Sequence, residues 1–364
     1  MNKKIIIAGG GTGGHIFPAV AIANALKQKD KTIQILFVGA KGKMEMEKVP
    51  QAGYDIKGLD ITGFNRSSLI KNIWLPYKLI KSFLQVRNIF KQFKPDSVLG
   101  VGGYSTYPVL KYAQSKGIPT FIHEANSFAG KSNKMLGTGC TKVFTGTDGM
   151  EKFFPVDKIM VTGNPVRNSI LNRNINKEEA LQHFSLENNK TTLLIVGGSL
   201  GAKSINDAAL AHLDELLDAG LQLIWQTGKS FDKEALAKVA THKNVWINEF
   251  ITKMEFAYSA ADIVIARAGA MTVAEICVTQ KPTIFVPYPF AAEDHQTVNA
   301  MQLVNKKAAL MVKDSEAKEK IAAMAIDLAK NEALRSEMID NLSRLAITNA
   351  DERVAEEILK IINK

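Results

Sequence analysis

The chain has 364 residues, 46% apolar and 23% charged, the make-up of a globular protein with two domains of ordinary size rather than a disordered or fibrous chain. Two cysteines, Cys140 and Cys277, argue against a disulfide framework and for a reducing cytosol. No window nears the roughly 18 apolar residues of a spanning helix, and the apolar run behind Met1-Asn2-Lys3-Lys4 stops at Gly9, too short for a secretory signal.

The formal charge of +10 is unevenly spread. Residues 1–164 carry 23 Lys+Arg against 10 Asp+Glu, whereas residues 165–364 carry 23 against 26. A polyanionic partner is therefore expected for the first half alone, either an anionic lipid surface or nucleic acid.

In chain order, strands are expected at 3–8, 33–38, 97–101, 119–123 and 142–145, with helical patterns between most of them. A second series follows Gly163-Asn164-Pro165-Val166-Arg167, at 192–196, 221–226, 244–247, 262–266 and 283–286. Alternating strands and helices imply an α/β fold of parallel sheets covered on both faces. Two such halves, joined near residue 165, predict two Rossmann-like domains facing each other across a cleft. Residues 351–363 read as a last helix, with Val354, Ile358 and Ile361 on one face.

Glycine-rich turns recur after the strands. The first, Gly9-Gly10-Gly11-Thr12-Gly13-Gly14-His15, joins the run Ile5–Ala8 to a helix from about Pro18 to Lys27. Strand, glycine turn and helix bring backbone N–H groups up to an oxyanion or a sugar. The spacing Gly9-x-Gly11-x-x-Gly14 fits the dinucleotide fingerprint, but two features count against that reading. The following strand ends in Gly39-Ala40, where a ribose-binding acid would be expected, and the glycines lead into a His that phosphate binding does not need. Further turns lie at Gly100–Ser105, Gly197–Ala202 and Arg267–Glu275. Ligands of open α/β sheets sit beyond the carboxyl ends of the strands, where these turns cluster.

From Ile61 to Pro95 there is no acidic residue. Arg66, Lys71, Lys78, Lys81, Arg87, Lys91 and Lys94 alternate there with Trp74, Tyr77, Ile80, Phe83 and other apolar residues. This is the pattern of a membrane-surface contact, with Arg66, Lys71, Trp74, Lys78 and Lys81 as its candidate residues. The plainer reading is a core-packing helix with a solvated basic face. Nucleic acid ranks behind both, because no binding-module motif accompanies the charge.

The motifs together resemble one family. Gly10-Gly11-Thr12-Gly13-Gly14-His15-Ile16-Phe17-Pro18 is similar to the opening of the peptidoglycan N-acetylglucosaminyltransferases, the MurG family. The resemblance continues through Gly102-Gly103-Tyr104-Ser105, His123-Glu124-Ala125-Asn126, Thr162–Arg167, Gly197–Ala202, Arg267–Glu275 and Glu293–Ala300, in family order over nearly the whole chain. It implies transfer of GlcNAc from UDP-GlcNAc to the 4-hydroxyl of the undecaprenyl-diphosphate-linked N-acetylmuramyl pentapeptide, lipid I, giving lipid II. It also implies a GT-B fold. Residues 1–164 with a returning helix at about 346–364 would form the acceptor and membrane domain, and 165–345 the UDP-GlcNAc domain. A peripheral place at the cytoplasmic face of the plasma membrane, with other cell-wall synthesis proteins as partners, belongs to the same expectation.

The diphosphate of the donor is the leaving group, and helix N-termini stabilise its charge without a metal. Ser199, with its hydroxyl, and the turn at Ala270, Met271 and Thr272 suit that task, and Arg167 could pair with a phosphate. By resemblance the UDP-GlcNAc site comprises Thr12, Gly13, Gly14, Asn126, Arg167, Ser199, Ile251, the run Ala270, Met271, Thr272, Val273, Ala274 and Glu275, and Gln296. Glu275 would take the ribose hydroxyls, the Ile251 backbone the uracil, and Gln296 the GlcNAc hydroxyls. Plainer readings stand beside these: Arg167 pairing with a hinge acid, Glu275 offsetting a helix dipole, Asn126 forming a turn. His295 beside Glu293 and Asp294 lacks a second ligand pair at metal spacing, so no cofactor is expected and a divalent cation would be at most a stimulant.

Deprotonating the acceptor hydroxyl suits a side chain whose ordinary pKa lies near neutrality. His15 is the expected general base, with Glu124 as rival, and Gly103, Tyr104 and Ser105 join His15 on the acceptor side. A single displacement inverts the anomeric centre. The competing reading keeps the fold and changes the chemistry, to a UDP-GlcNAc 2-epimerase or another UDP-sugar enzyme. A third is a non-catalytic UDP-sugar-binding protein at the membrane.

Overall fold

The computed structural model describes residues 2–63, 72–171, 175–198 and 200–363. It divides into two compact units, Met1–Arg167 with Asn349–Lys364, and Asn168–Thr348. The first is built on strands β1 (Lys4–Ala8), β2 (Gln34–Ala40), β3 (Asp55–Leu59), β4 (Ser97–Gly100), β5 (Thr120–Glu124), β6 (Lys142–Thr145) and β7 (Ile159–Val161), in the spatial order β3-β2-β1-β4-β5-β6-β7. The second holds β8 (Thr191–Val196), β9 (Leu221–Gln226), β10 (Val245–Asn248), β11 (Ile263–Ala266), β12 (Thr283–Phe285) and β13 (Leu310–Met311), ordered β10-β9-β8-β11-β12-β13. Neighbouring strands pair in parallel in both sheets.

Why the central strands read as unbroken apolar runs is visible at β1. Ile6 and Ala8 join a core with Val86, Phe90, Val109 and Leu110, while Ile5 and Ile7 join a core on the other face with Ile16, Ile22, Val354 and Ile358. A strand covered on both faces has no polar side to alternate with. Each fully buried Ile is worth about 1.5–3 kcal/mol. In the second unit Leu193, Ile195, Leu223, Trp225, Ile263 and Ile265 share one core with the helices Lys203–Ala211 and Ala317–Lys330.

Three strands were not expected from the sequence: β3, β7 and β13. All lie at sheet edges. An edge strand is covered less, so Asp55–Gly58 alternates exposed and part-buried residues before the buried Leu59, and Ile159–Val161 is nowhere buried. The last helix, Ala350–Ile362, packs on the helix Gly13–Lys29 of the first unit through Val354, Ala355 and Ile358. Lys29 to Glu356 at 2.7 Å and the Lys3 ammonium to the Ile362 carbonyl at 2.5 Å fasten it.

Candidate active site

Both strand orders reverse direction beside their first strand, between β1 and β4 and between β8 and β11. Ligands of doubly wound sheets bind at such switch points. In the first unit the two glycine turns meet there. Gly9, Gly10 and Gly11 run at φ 145°, 144° and 90°, and Gly102 and Gly103 at 100° and 88°. These are backbone conformations that side chains disfavour. The turns also interlock: a Cβ on Gly9 would lie 2.5 Å from the Gly102 carbonyl oxygen, and one on Gly103 would lie 2.7 Å from that of Gly10. The Gly10 N–H donates to Gly102 at 3.3 Å, and the Thr106 hydroxyl donates to the carbonyls of Ala8 and Gly102.

Thr12 is the N-cap of Gly13–Lys29, so Gly13, Gly14 and His15 form its first turn. The His15 Nδ1 lies 3.0 Å from the Gly10 carbonyl oxygen and 3.3 Å from the Thr12 hydroxyl. A carbonyl oxygen only accepts, so neutral His15 carries its proton on Nδ1. Its Nε2 is left with a lone pair and no hydrogen-bond partner among the described residues, directly over Gly102: a Cβ there would stand 2.8 Å from it. Ser105 is buried and Tyr104 half-buried beside the same turn. Burial, then the charge of Glu45, raises the Tyr104 phenol.

Glu124 is buried and saturated as an acceptor, taking the Asn126 N–H at 3.1 Å, the Gly130 N–H at 2.9 Å and the Asn133 amide at 2.9 Å. Asn126 also reaches it with its side-chain amide at 3.4 Å. Those bonds make Glu124 the post around which the turn after β5 is wound. His123, fully buried, hydrogen-bonds the Gly163 backbone. Burial foremost, with the nearby His15 adding, pushes its imidazole down to about 4. Arg167 stacks over the Phe17 ring at 5.5 Å, two residues beyond His15.

In the second unit Gly201 fits so closely that a Cβ would lie 2.0 Å from the Thr227 carbonyl oxygen. Gln226 clasps this turn from beneath: its amide donates to the Gly198 carbonyl and its oxygen accepts the Ile251 N–H, both at 2.9 Å. The Ile251 N–H is thereby committed within the protein. Ser199 lies outside the described residues. The second turn caps Ala270–Thr279 with Gly269, and Ala270, Met271, Thr272, Val273 and Ala274 form its first turns. Glu275 follows on that helix, buried, and accepts from the Tyr258 hydroxyl at 3.0 Å. Arg267 fixes the loop before it, donating to the carbonyls of Val286 and Pro287, to Asp314 at 2.5 Å and to Ser204 at 3.1 Å. Gln296 accepts the Tyr288 N–H at 2.9 Å just after Glu293 and Asp294, which take φ 58° and 52°. Such strained pairs concentrate at functional loops. Among the described residues no cluster of three or more His, Cys, Asp or Glu could hold a metal ion.

The basic amphipathic stretch forms the helix Leu75–Phe93. Val86 and Phe90 pack inward, while Ile73, Trp74, Tyr77, Ile80 and Leu84 form a stripe 57–69% exposed, with Lys78 beside it. Lys81 is less free than the acid-free sequence implied: it pairs with Asp60 at 2.9 Å, which also holds Lys41 at 2.8 Å. These bonds keep the Asp60 carboxyl well below the usual carboxylate range. Arg66 and Lys71 lie outside the described residues, and no described helix is long and apolar enough to cross a membrane.

The residues that sequence reasoning missed are partners rather than principals: Glu45, Thr106, Asn133, Gln226 and Tyr258. Each is a lone polar residue whose spacing carries no motif. The one signal was the absence of an acid at the end of β2, since the acid stands five residues later, at Glu45.

Two family models match the chain, the glycosyltransferase family 28 N-terminal domain over residues 5–145 and its C-terminal domain over 192–357. A UDP-N-acetylglucosamine–N-acetylmuramyl-(pentapeptide) pyrophosphoryl-undecaprenol N-acetylglucosamine transferase of Phocaeicola vulgatus is 50% identical over 100% of this chain and 97% of its own. The crystal structure of MurG from Acinetobacter baumannii superposes with a TM-score of 0.81 at 31% identity, covering 98% of this chain and 99% of its own. A Neisseria meningitidis UDP-GlcNAc 2-epimerase aligns at a TM-score of 0.68 over 98% and 100% of the two chains, but at 16% identity, a likeness of fold alone.

Proposed function

This chain belongs to glycosyltransferase family 28, and we propose that it moves N-acetylglucosamine from UDP-N-acetylglucosamine to the 4-hydroxyl of N-acetylmuramyl-(pentapeptide) pyrophosphoryl-undecaprenol. The product is the disaccharide lipid of peptidoglycan synthesis. The epimerase reading has only a shared fold behind it.

The observation that carries the mechanism is the first-unit switch point, where two glycine turns pack together and leave the His15 Nε2 with an open lone pair. His15 accepts the proton of the acceptor hydroxyl as that oxygen attacks the anomeric carbon, UDP departs, and the centre inverts. Glu124 is the weaker candidate, since its oxygens already serve three residues. Gly103, Tyr104 and Ser105 line the acceptor side.

Charge developing on the diphosphate is met by backbone N–H groups at the turn containing Ser199 and at Ala270–Thr272, and by Arg167. Thr12, Gly13, Gly14 and Asn126 complete the donor set. Glu275, steadied by Tyr258, takes the ribose hydroxyls, the Ile251 carbonyl the uracil, and Gln296 the GlcNAc hydroxyls. Met271, Val273 and Ala274 contribute helix backbone rather than side-chain chemistry. No dedicated metal site is assigned.

The exposed stripe of Trp74, Tyr77 and Ile80, flanked by Lys78, suits an anionic membrane surface. We propose a peripheral place at the cytoplasmic face of the plasma membrane, in company with other cell-wall synthesis proteins; a lipid-borne acceptor supports contact with a membrane. UDP release measured with and without a lipid I analogue tests the activity: release should depend on the acceptor. Conversion to UDP-ManNAc without acceptor would establish the epimerase instead.

A further inference from the structure

Beneath the first glycine turn lies a carboxylate that neither takes the acceptor proton nor binds the donor. Glu45 opens the short helix Glu45–Gln51 and is only 1% exposed, although Lys43, Met44 and Glu47 around it are exposed. Acids are rarely buried so completely without a task. Its two oxygens are divided between two backbone donors, the Gly11 N–H at 2.8 Å and the Ala40 N–H at 3.0 Å. The chain is also shaped to receive it. A Cβ on Gly10 would lie 2.4 Å from the Glu45 carboxyl carbon, and one on Gly39 would lie 2.5 Å from its Cγ.

The Gly11 N–H and the Gly10 carbonyl belong to a single peptide unit. Its N–H end donates to Glu45, and its C=O end accepts from the His15 Nδ1 at 3.0 Å. The peptide is planar, so fixing the direction of its N–H fixes the opposite direction of its carbonyl. An anion at the donor end also polarises the amide and makes its oxygen a better acceptor, because bonds in series strengthen one another. Three consecutive glycines at positive φ have little stiffness of their own. Without an anchor this peptide could turn its carbonyl away from the imidazole.

We propose that Glu45 is a positioning residue for the transfer: acting through the Gly10–Gly11 peptide, it holds His15 in the Nδ1–H tautomer with Nε2 presented as the proton acceptor. The arrangement is a carboxylate–histidine pair with one amide interposed. The inference rests on His15 being the base. A neutral amide cannot replace the carboxylate, because it offers one acceptor to two N–H donors and sets its own NH₂ against the other.

The experiment uses the full chain with 15N-labelled histidine, the His15 signals being identified by their loss in His15→Ala. In the unsubstituted protein at a pH where His15 is neutral, its nitrogens should report the Nδ1–H tautomer. In Glu45→Gln the signals should move toward a mixture of tautomers. Turnover with a lipid I analogue should fall by about 10- to 100-fold, the range that outer partners of an imidazole command at metal sites, while KM for UDP-GlcNAc stays within about twofold. Should Glu45→Gln fail to fold, Glu45→Asp serves. It keeps the charge but is one methylene too short to hold both N–H groups, and it should show a smaller change of the same sign. A Glu45 variant with lowered Tm but an unchanged tautomer and unchanged kcat would reduce the residue to a structural role and overturn the proposal. Near-normal turnover by His15→Ala would remove the base instead, and the tautomer signals would still decide whether Glu45 governs the imidazole.

Discussion

Turnover should depend on the room left around the His15 Nε2, and Gly102→Ala tests this. A methyl group there would stand 2.8 Å from Nε2 and 3.0 Å from Cδ2, so the ring must retreat by about 0.6 Å or more to reach ordinary carbon contact distance. A retreat that breaks the 3.0 Å bond from Nδ1 to the Gly10 carbonyl loses about 0.5–1.5 kcal/mol. Holding alanine at φ 100° adds about 1–3 kcal/mol. The sum, roughly 2–4 kcal/mol, corresponds to a Tm lower by about 5–15 °C for a unit of this size. A misplacement of about 1 Å costs on the order of 10²-fold in kcat, so a retreat of this size should lower kcat by about 10-fold or more. UDP-GlcNAc affinity should barely change. Gly117→Ala is the control, since Gly117 has φ 68° in the same unit with nothing within 4 Å of its Cβ position. It should lose stability yet keep its turnover. The assays are acceptor-dependent UDP release, calorimetric titration with UDP-GlcNAc, and thermal unfolding of both variants. If Gly102→Ala turned over within about threefold of Gly117→Ala, the space over Nε2 would not matter, and His15 could not be taking a proton there.

Removing the imidazole outright, in His15→Ala, should leave UDP-GlcNAc binding intact and lower kcat by ~10²–10⁴; near-normal kcat would dismiss it as the base. Replacing Trp74 and Ile80 by Ser should weaken sedimentation with anionic vesicles at least tenfold, as each side chain forfeits about 1.5–3 kcal/mol of apolar burial. Lys78→Ser should weaken it about fivefold, on the basis of about 1 kcal/mol per basic residue. Vesicle binding that ignores ionic strength would argue against the basic component. His123 provides a pH signature. Its folded imidazole titrates at about 4, below the unfolded value of about 6.5, so the unfolded chain binds the extra proton between those limits. Stability from this group is complete above pH 6.5 and is lost as pH falls toward 4, by about 3 kcal/mol in all. Unfolding followed from pH 7 to 4 should show a shallower fall in His123→Asn, and parallel curves for the two proteins would count against this assignment.

Central strands announce themselves because both their faces are covered, which is why Ile5–Ala8 and Leu193–Val196 stand out as unbroken apolar runs. β3 escaped because it closes its sheet at an edge, where one-sided cover permits Asp55 and Lys57, and β7 and β13 because they are apolar stretches of only three and two residues. The helix Leu75–Phe93 was legible as amphipathic. Which apolar residues face outward was not, since Val86 and Ile80 differ only in what packs against them.

The glycine turns and His15 could be read from sequence because their chemistry is local: φ values only glycine holds easily, and a ring with an ordinary pKa near neutrality. Which nitrogen of His15 carries the proton could not be read, because that follows from the direction of the Gly10 carbonyl. Glu45, 34 positions beyond Gly11, grips the same peptide. Spacing along a chain records periodicity and turns. It does not record which distant side chain the folded backbone brings within 3 Å. The two parallel-sheet units, their glycine turns and the residue types at the site follow from local pattern along the chain. How those turns interlock, which acid lies beneath them and which lone pair is left open emerge only on folding, since each depends on contacts between segments far apart in the chain.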